Sequence, residues 1–69
     1  MAAGAPLQGI VTEFDEARGL GVIAAGDVVF PFHCVSIADG SRTIPVGTHV
    51  VFEVLLKLGR REATAIRAA

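Results

Sequence analysis

Cysteine is almost missing from this chain: Cys34 stands alone, so no internal disulfide can form, which agrees with a reducing compartment. Long apolar runs are missing too. None reaches the roughly 18–20 residues that a helical membrane span requires, and a soluble protein with no membrane partner is expected. Met1–Pro6 lacks both the basic start and the apolar centre of an export signal. It reads as part of a flexible tail, residues 1–7, and the expected address is cytoplasmic. A basic excess is absent as well: six Lys/Arg face seven Asp/Glu, for a formal charge of −1. The broad cationic footprint of a general nucleic-acid binder is therefore not there, although barrels that hold single strands by base stacking can be near neutral.

What the chain does have is apolar substance. Hydrophobic residues make up 52% of 69 positions and charged residues 19%. That composition packs as one globular unit, near the lower size at which a core needs no staple. No repeat, linker or low-complexity tract divides it, so residues 8–69 are expected to be a single domain.

The centre of the pattern is Arg18-Gly19-Leu20-Gly21-Val22-Ile23. Each glycine would weaken a helix by roughly 1 kcal/mol, so the run reads as a sharply coiled strand or one that another chain segment approaches closely. Ahead of it, Gln8 to Phe14 alternates, with Ile10, Thr12 and Phe14 expected on one side and Val11 and Glu13 on the other. Behind it, Ala25-Gly26-Asp27 predicts a tight hairpin into Val28–Phe32. Pro31 cannot donate to a ladder, so that strand must lie at an edge or break there.

His33 to Ile37 has room for one helical turn at most. Loops are expected at Ala38–Arg42 and Pro45–Thr48, then a strand from His49 to Leu56. A turn at Leu58–Arg61 leads to a last strand, Glu62 to Ala68. Its Ala63, Ala65 and Ala68 suit crowded positions, and its β-branched Thr64 and Ile66 favour strand over the helix that its alanines also allow.

Arg-Gly-Leu-Gly-Val-Ile resembles the Lys-Gly-Phe-Gly-Phe-Ile motif of cold-shock domains, with both aromatics turned aliphatic. Gly9-Ile10-Val11 and Phe14 stand before it at that family's spacing, and a Val/Phe-rich stretch ending in His33, then Ile37, stands after it. The similarity runs over about residues 8–68. It implies an all-β fold, a five-stranded antiparallel OB-fold barrel, cold-shock-like, that binds single-stranded RNA or DNA without catalysis or cofactor.

Carried over by resemblance, the nucleic-acid-binding residues are Phe14, Arg18, Leu20, Val22, Phe30, Phe32, His33 and Arg42. Arg18 stands where the family has lysine, Leu20 and Val22 where it has stacking phenylalanines, and Glu13 where it commonly has tryptophan. Aromatic stacking contributes about 1–3 kcal/mol per base. Losing two such contacts implies binding weaker by roughly two to four powers of ten, with little sequence preference. Around Pro31 two registers are open: Phe30 takes the stacking place, or His33 keeps the histidine's, with a bulge at Pro31 allowing both. Phe30 and Phe32, two apart, also read as a shared inward face.

Other chemistry finds little support in the residues. Adjacent His33 and Cys34 point to opposite faces of a strand, and adding His49 gives no zinc-finger spacing, so no metal is expected. No third group completes a Cys-His nucleophile. Gly19-x-Gly21 lacks the Gly-Lys-Ser/Thr ending of a phosphate loop. The second functional reading is a protein-interaction module or homodimer on the same barrel, which one continuous exposed patch of Leu20, Val22 and Pro31 would favour.

Overall fold

The structure is a computed structural model that describes residues 6–69. Five strands follow in order: β1 (Leu7–Asp15), β2 (Leu20–Ala25), β3 (Val28–His33), β4 (His49–Lys57) and β5 (Arg60–Ala68). One 3₁₀ turn, Cys34–Ser36, follows β3, matching the single turn expected there. The strands form one antiparallel sheet in the order β3-β2-β1-β4-β5. The first five residues of the expected tail lie outside the described residues, and Leu7 pairs with Phe52 as the start of β1.

Turn chemistry sets the registers. Asp15 accepts from the backbone N–H groups of Ala17 (3.0 Å) and Arg18 (3.2 Å), and Gly19 closes the β1–β2 turn at φ +66°. Gly26-Asp27 is the two-residue loop between β2 and β3, with Ala25 paired to Val28. Between β4 and β5 the loop is Leu58-Gly59, both at positive φ (52° and 79°), the backbone that suits the right-handed twist of a hairpin. Arg60 and Arg61, expected in that turn, instead join the ladder opposite Lys57 and Leu56.

Two irregularities bend the sheet. In β1 the register shifts between Val11 and Glu13, which breaks the expected alternation. Val11 is buried, Ile10 is exposed, and Phe14 turns back against the core instead of sharing a face with Ile10. In β5 an extra residue falls between Thr64 and Arg67, where Ala65 adopts φ 52°. Of the three alanines expected in crowded places, Ala63 is buried, Ala65 half-buried on this bulge, and Ala68 exposed.

The inward face of the curled sheet holds the core, with Val11, Ile23, Val50, Phe52 and Ile66 wholly enclosed. Phe30 packs on Phe52, ring centroids 5.3 Å apart and tilted by 59°. Curling brings the edge strands β3 and β5 into contact. Among the described residues no ladder joins them, so the sheet is not closed. A single parallel bridge, Ile37 to Ile66, spans the seam just past β3, where the Ala38 N–H donates to the Ile66 carbonyl at 2.8 Å. β3 is thus an edge strand, as Pro31 requires. No helix among the described residues is long and apolar enough to cross a membrane.

Candidate nucleic-acid interface

Three rows of side chains run across β1, β2 and β3. The ladders align Glu13, Val22 and Pro31 in one row, Phe14, Gly21 and Phe32 in the next, and Asp15, Leu20 and His33 in the third. Because side chains alternate across a strand, the first and third rows face outward when the second faces inward. The burial pattern agrees: Phe32 and Gly21 are buried, while Leu20, Pro31 and His33 are exposed. The β2–β3 ladder runs from Leu20–His33 to Ala25–Val28 without a shift, so there is no bulge at Pro31. His33 faces outward and Phe30 inward.

That register corrects the expectation that Phe30 and Phe32 present rings to a ligand. Phe30 is 5% exposed and Phe32 2%, and both belong to the core. Phe32 does reach the floor of the cleft described below, but beneath the ring of Phe14, with centroids 6.0 Å apart and planes 16° from parallel. Glycine at position 21 makes room for this pair: an added Cβ would lie 2.6 Å from Phe32 Cε1 and 2.9 Å from the Glu13 carbonyl oxygen.

A cleft of about 790 Å³ opens over this end of the three strands. One wall carries Phe14, Leu20, Val22, Pro31, His33 and Val35. The far half of the β4–β5 hairpin supplies the other, with Leu55, Lys57, Arg60 and Glu62. The volume falls in the roughly 300–1,000 Å³ range of ligand clefts. Charges around it are balanced: Arg18, Lys57 and Arg60 against Glu13, Asp15 and Glu62. Arg18 lies 3.8 Å from Asp15, both well exposed, a weak surface pair. Among the described residues Lys57 and Arg60 have no ion-pair partner.

His33 is held by its own backbone. Its Nδ1 accepts from the Val35 N–H at 3.3 Å, capping the 3₁₀ turn. In the neutral ring this places the proton on Nε2, leaving that nitrogen as a donor. Cys34 is buried, its Sγ 3.7 Å from His33 Nδ1. Among the described residues no three His, Cys, Asp or Glu side chains gather in a way that could hold a metal ion.

Of the residues expected in the site, the cleft brings together Phe14, Arg18, Leu20, Val22 and His33, with Phe32 beneath. Arg42 is not among its lining residues. Lys57 and Arg60 read in the sequence only as scattered loop cations, and Val35, Leu55 and Glu62 carried no signal at all. Their place depends on the curl that carries the hairpin toward β3, which no local pattern encodes. The sequence matches no protein-family model and no curated protein.

Proposed function

We propose that this protein binds single-stranded RNA or DNA, without catalysis, in the cleft between the outer surface of β1–β3 and the β4–β5 hairpin. The architecture behind this reading is an OB-fold barrel, similar to a cold-shock domain, acting in the cytoplasm. The observation that carries it is the grouping of Phe14, His33, Arg18, Lys57 and Arg60 around one apolar cleft wall. Single-strand sites combine such surfaces for bases with cations along the backbone path. With Phe30 and Phe32 buried, the cleft offers for stacking the outward ring of His33 and the free side of the half-buried Phe14. Affinity is therefore low and sequence preference slight. The acids Glu13, Asp15 and Glu62 weaken it further by facing the phosphate path.

The test is fluorescence anisotropy with labelled oligo-dT and oligo-U at two salt concentrations. Saturable binding is expected, and it should fall as salt rises. Three cations meeting phosphates give a slope of log K against log salt of about −2 for a single strand.

One specific observation favours a second reading. Leu20, Val22 and Pro31 are grid neighbours, with Val35 beside them in the same cleft, so an aliphatic patch faces outward. Such a patch suits a protein partner or a second copy of this chain. Absence of binding up to high micromolar strand concentration, together with dimers in light scattering, would select it.

A further inference from the structure

From Val54 to Arg61 every residue of the β4–β5 hairpin is exposed. Three of them are leucines: Leu55 is 48% exposed, Leu56 69% and Leu58 97%. Leu58 stands at φ 52° in the first position of the two-residue turn, where asparagine, aspartate or glycine fits the backbone better. Neither packing nor turn geometry accounts for a leucine there.

The charges are as distinctive as the leucines. Lys57, Arg60 and Arg61 lie in the same stretch, residues 55–61, which contains no carboxylate. None of the three has an ion-pair partner among the described residues. Adjacent strand residues point to opposite faces, so Leu55, with Lys57, Arg60 and its cross-strand partner Glu62, takes one face of the hairpin. Leu56, with its cross-strand partner Arg61, takes the other. Leu58 projects from the end. Both faces thus carry a leucine and at least one cation, and one carboxylate, Glu62, stands beside Leu55.

A flat protein surface or a strand of nucleic acid lying on one face would leave the other face's leucine in water. The occupant that fits surrounds the tip, is apolar within and carries negative charge at its boundary. We propose that the β4–β5 hairpin tip docks into the interface of an anionic lipid bilayer, with Leu55, Leu56 and Leu58 at the acyl boundary and Lys57, Arg60 and Arg61 among the phosphate headgroups. This contact is peripheral and needs no membrane span, and it shares Leu55, Lys57 and Arg60 with the cleft.

The test is co-sedimentation of the full chain with vesicles of phosphatidylcholine alone and of phosphatidylcholine with phosphatidylglycerol. Partition into the anionic vesicles only is expected. Leu58→Asn is the decisive variant, because it improves the turn while removing the anchor. It should lower vesicle binding about tenfold or more and at the same time raise the melting temperature. Lys57→Gln and Arg61→Gln should each lower binding about fivefold. No partition into either vesicle overturns the proposal, as does vesicle binding that Leu58→Asn leaves unchanged. It is equally overturned if Leu58→Asn spares vesicle binding but weakens oligo-dT binding or breaks a dimer, either of which assigns the tip to that partner.

Discussion

The ring of Phe14 covers that of Phe32 at 6.0 Å, and Gly21, the residue paired to both, is the gap in the sheet that lets them meet. Gly21→Ala should therefore cost about 1–3 kcal/mol, the usual range for overpacking a core. At roughly 4–8 °C per kcal/mol for a domain of this size, the melting temperature should fall by about 5–20 °C. Thermal unfolding followed by circular dichroism measures this. An unchanged melting temperature would mean that the backbone has slack at this point.

Leu20 and Val22 face outward on the side of His33, flanking the inward row of Phe14, Gly21 and Phe32, so an aromatic ring can be added there without disturbing the core. Leu20→Phe should tighten oligo-dT binding by about 1–3 kcal/mol, roughly 5- to 150-fold, with a melting temperature close to the parent's. The converse variant, Phe14→Leu, keeps most of the apolar packing and removes a ring face, and should weaken binding about tenfold. Anisotropy titrations decide both, and equal affinity in all three proteins would remove stacking from the proposed mechanism.

Ala65 occupies the left-handed region at φ 52° on the β5 bulge, where the Arg67 guanidinium donates to its carbonyl oxygen at 2.6 Å. A β-branched side chain is a poor fit to that backbone. Ala65→Val should cost about 1–2 kcal/mol, whereas Ala65→Gly relieves strain and loses about as much to chain entropy, for a change near zero. Urea denaturation of the two variants should separate them clearly. Equal midpoints would mean the bulge relaxes when residue 65 changes.

The hydroxyl and backbone N–H of Ser41 donate to the Asp39 carboxylate and hold its pKa below the ordinary 3.8. A depressed folded-state pKa adds stability above the unfolded value, and that increment is lost as pH falls through the folded value. Removing the hydroxyl with Ser41→Ala should bring the Asp39 titration back toward 3.8, as followed by carboxyl NMR. Because the carboxylate is fully exposed, stability near neutral pH should barely change.

Much of the fold is legible in local chemistry. Pro31 required β3 to lie at an edge or break, and it lies at an edge; Gly26-Asp27 located a hairpin, and the short run after His33 left space for one helical turn, which is 3₁₀. The faces were harder. Alternation alone put Phe14 with Ile10, because a bulge at Thr12 adds a residue that no period-two reading anticipates. The choice between Phe30 and His33 as the outward residue turned on whether the ladder slips at Pro31, a question that only the β2 partners answer. The hairpin wall of the cleft comes from sheet curl, a property of all five strands together, and so lies beyond any local pattern.

Pro31 also bears on how this molecule meets its own kind. In the middle of β3, whose outer margin no ladder continues among the described residues, its ring offers an incoming backbone no hydrogen to bond. A second chain trying to extend the sheet sideways would find its template interrupted after two or three residues. With valines at 28 and 29 open to water on the same strand, that interruption guards against runaway polymerisation, and replacing the imino acid by valine would expose the chain to fibril growth.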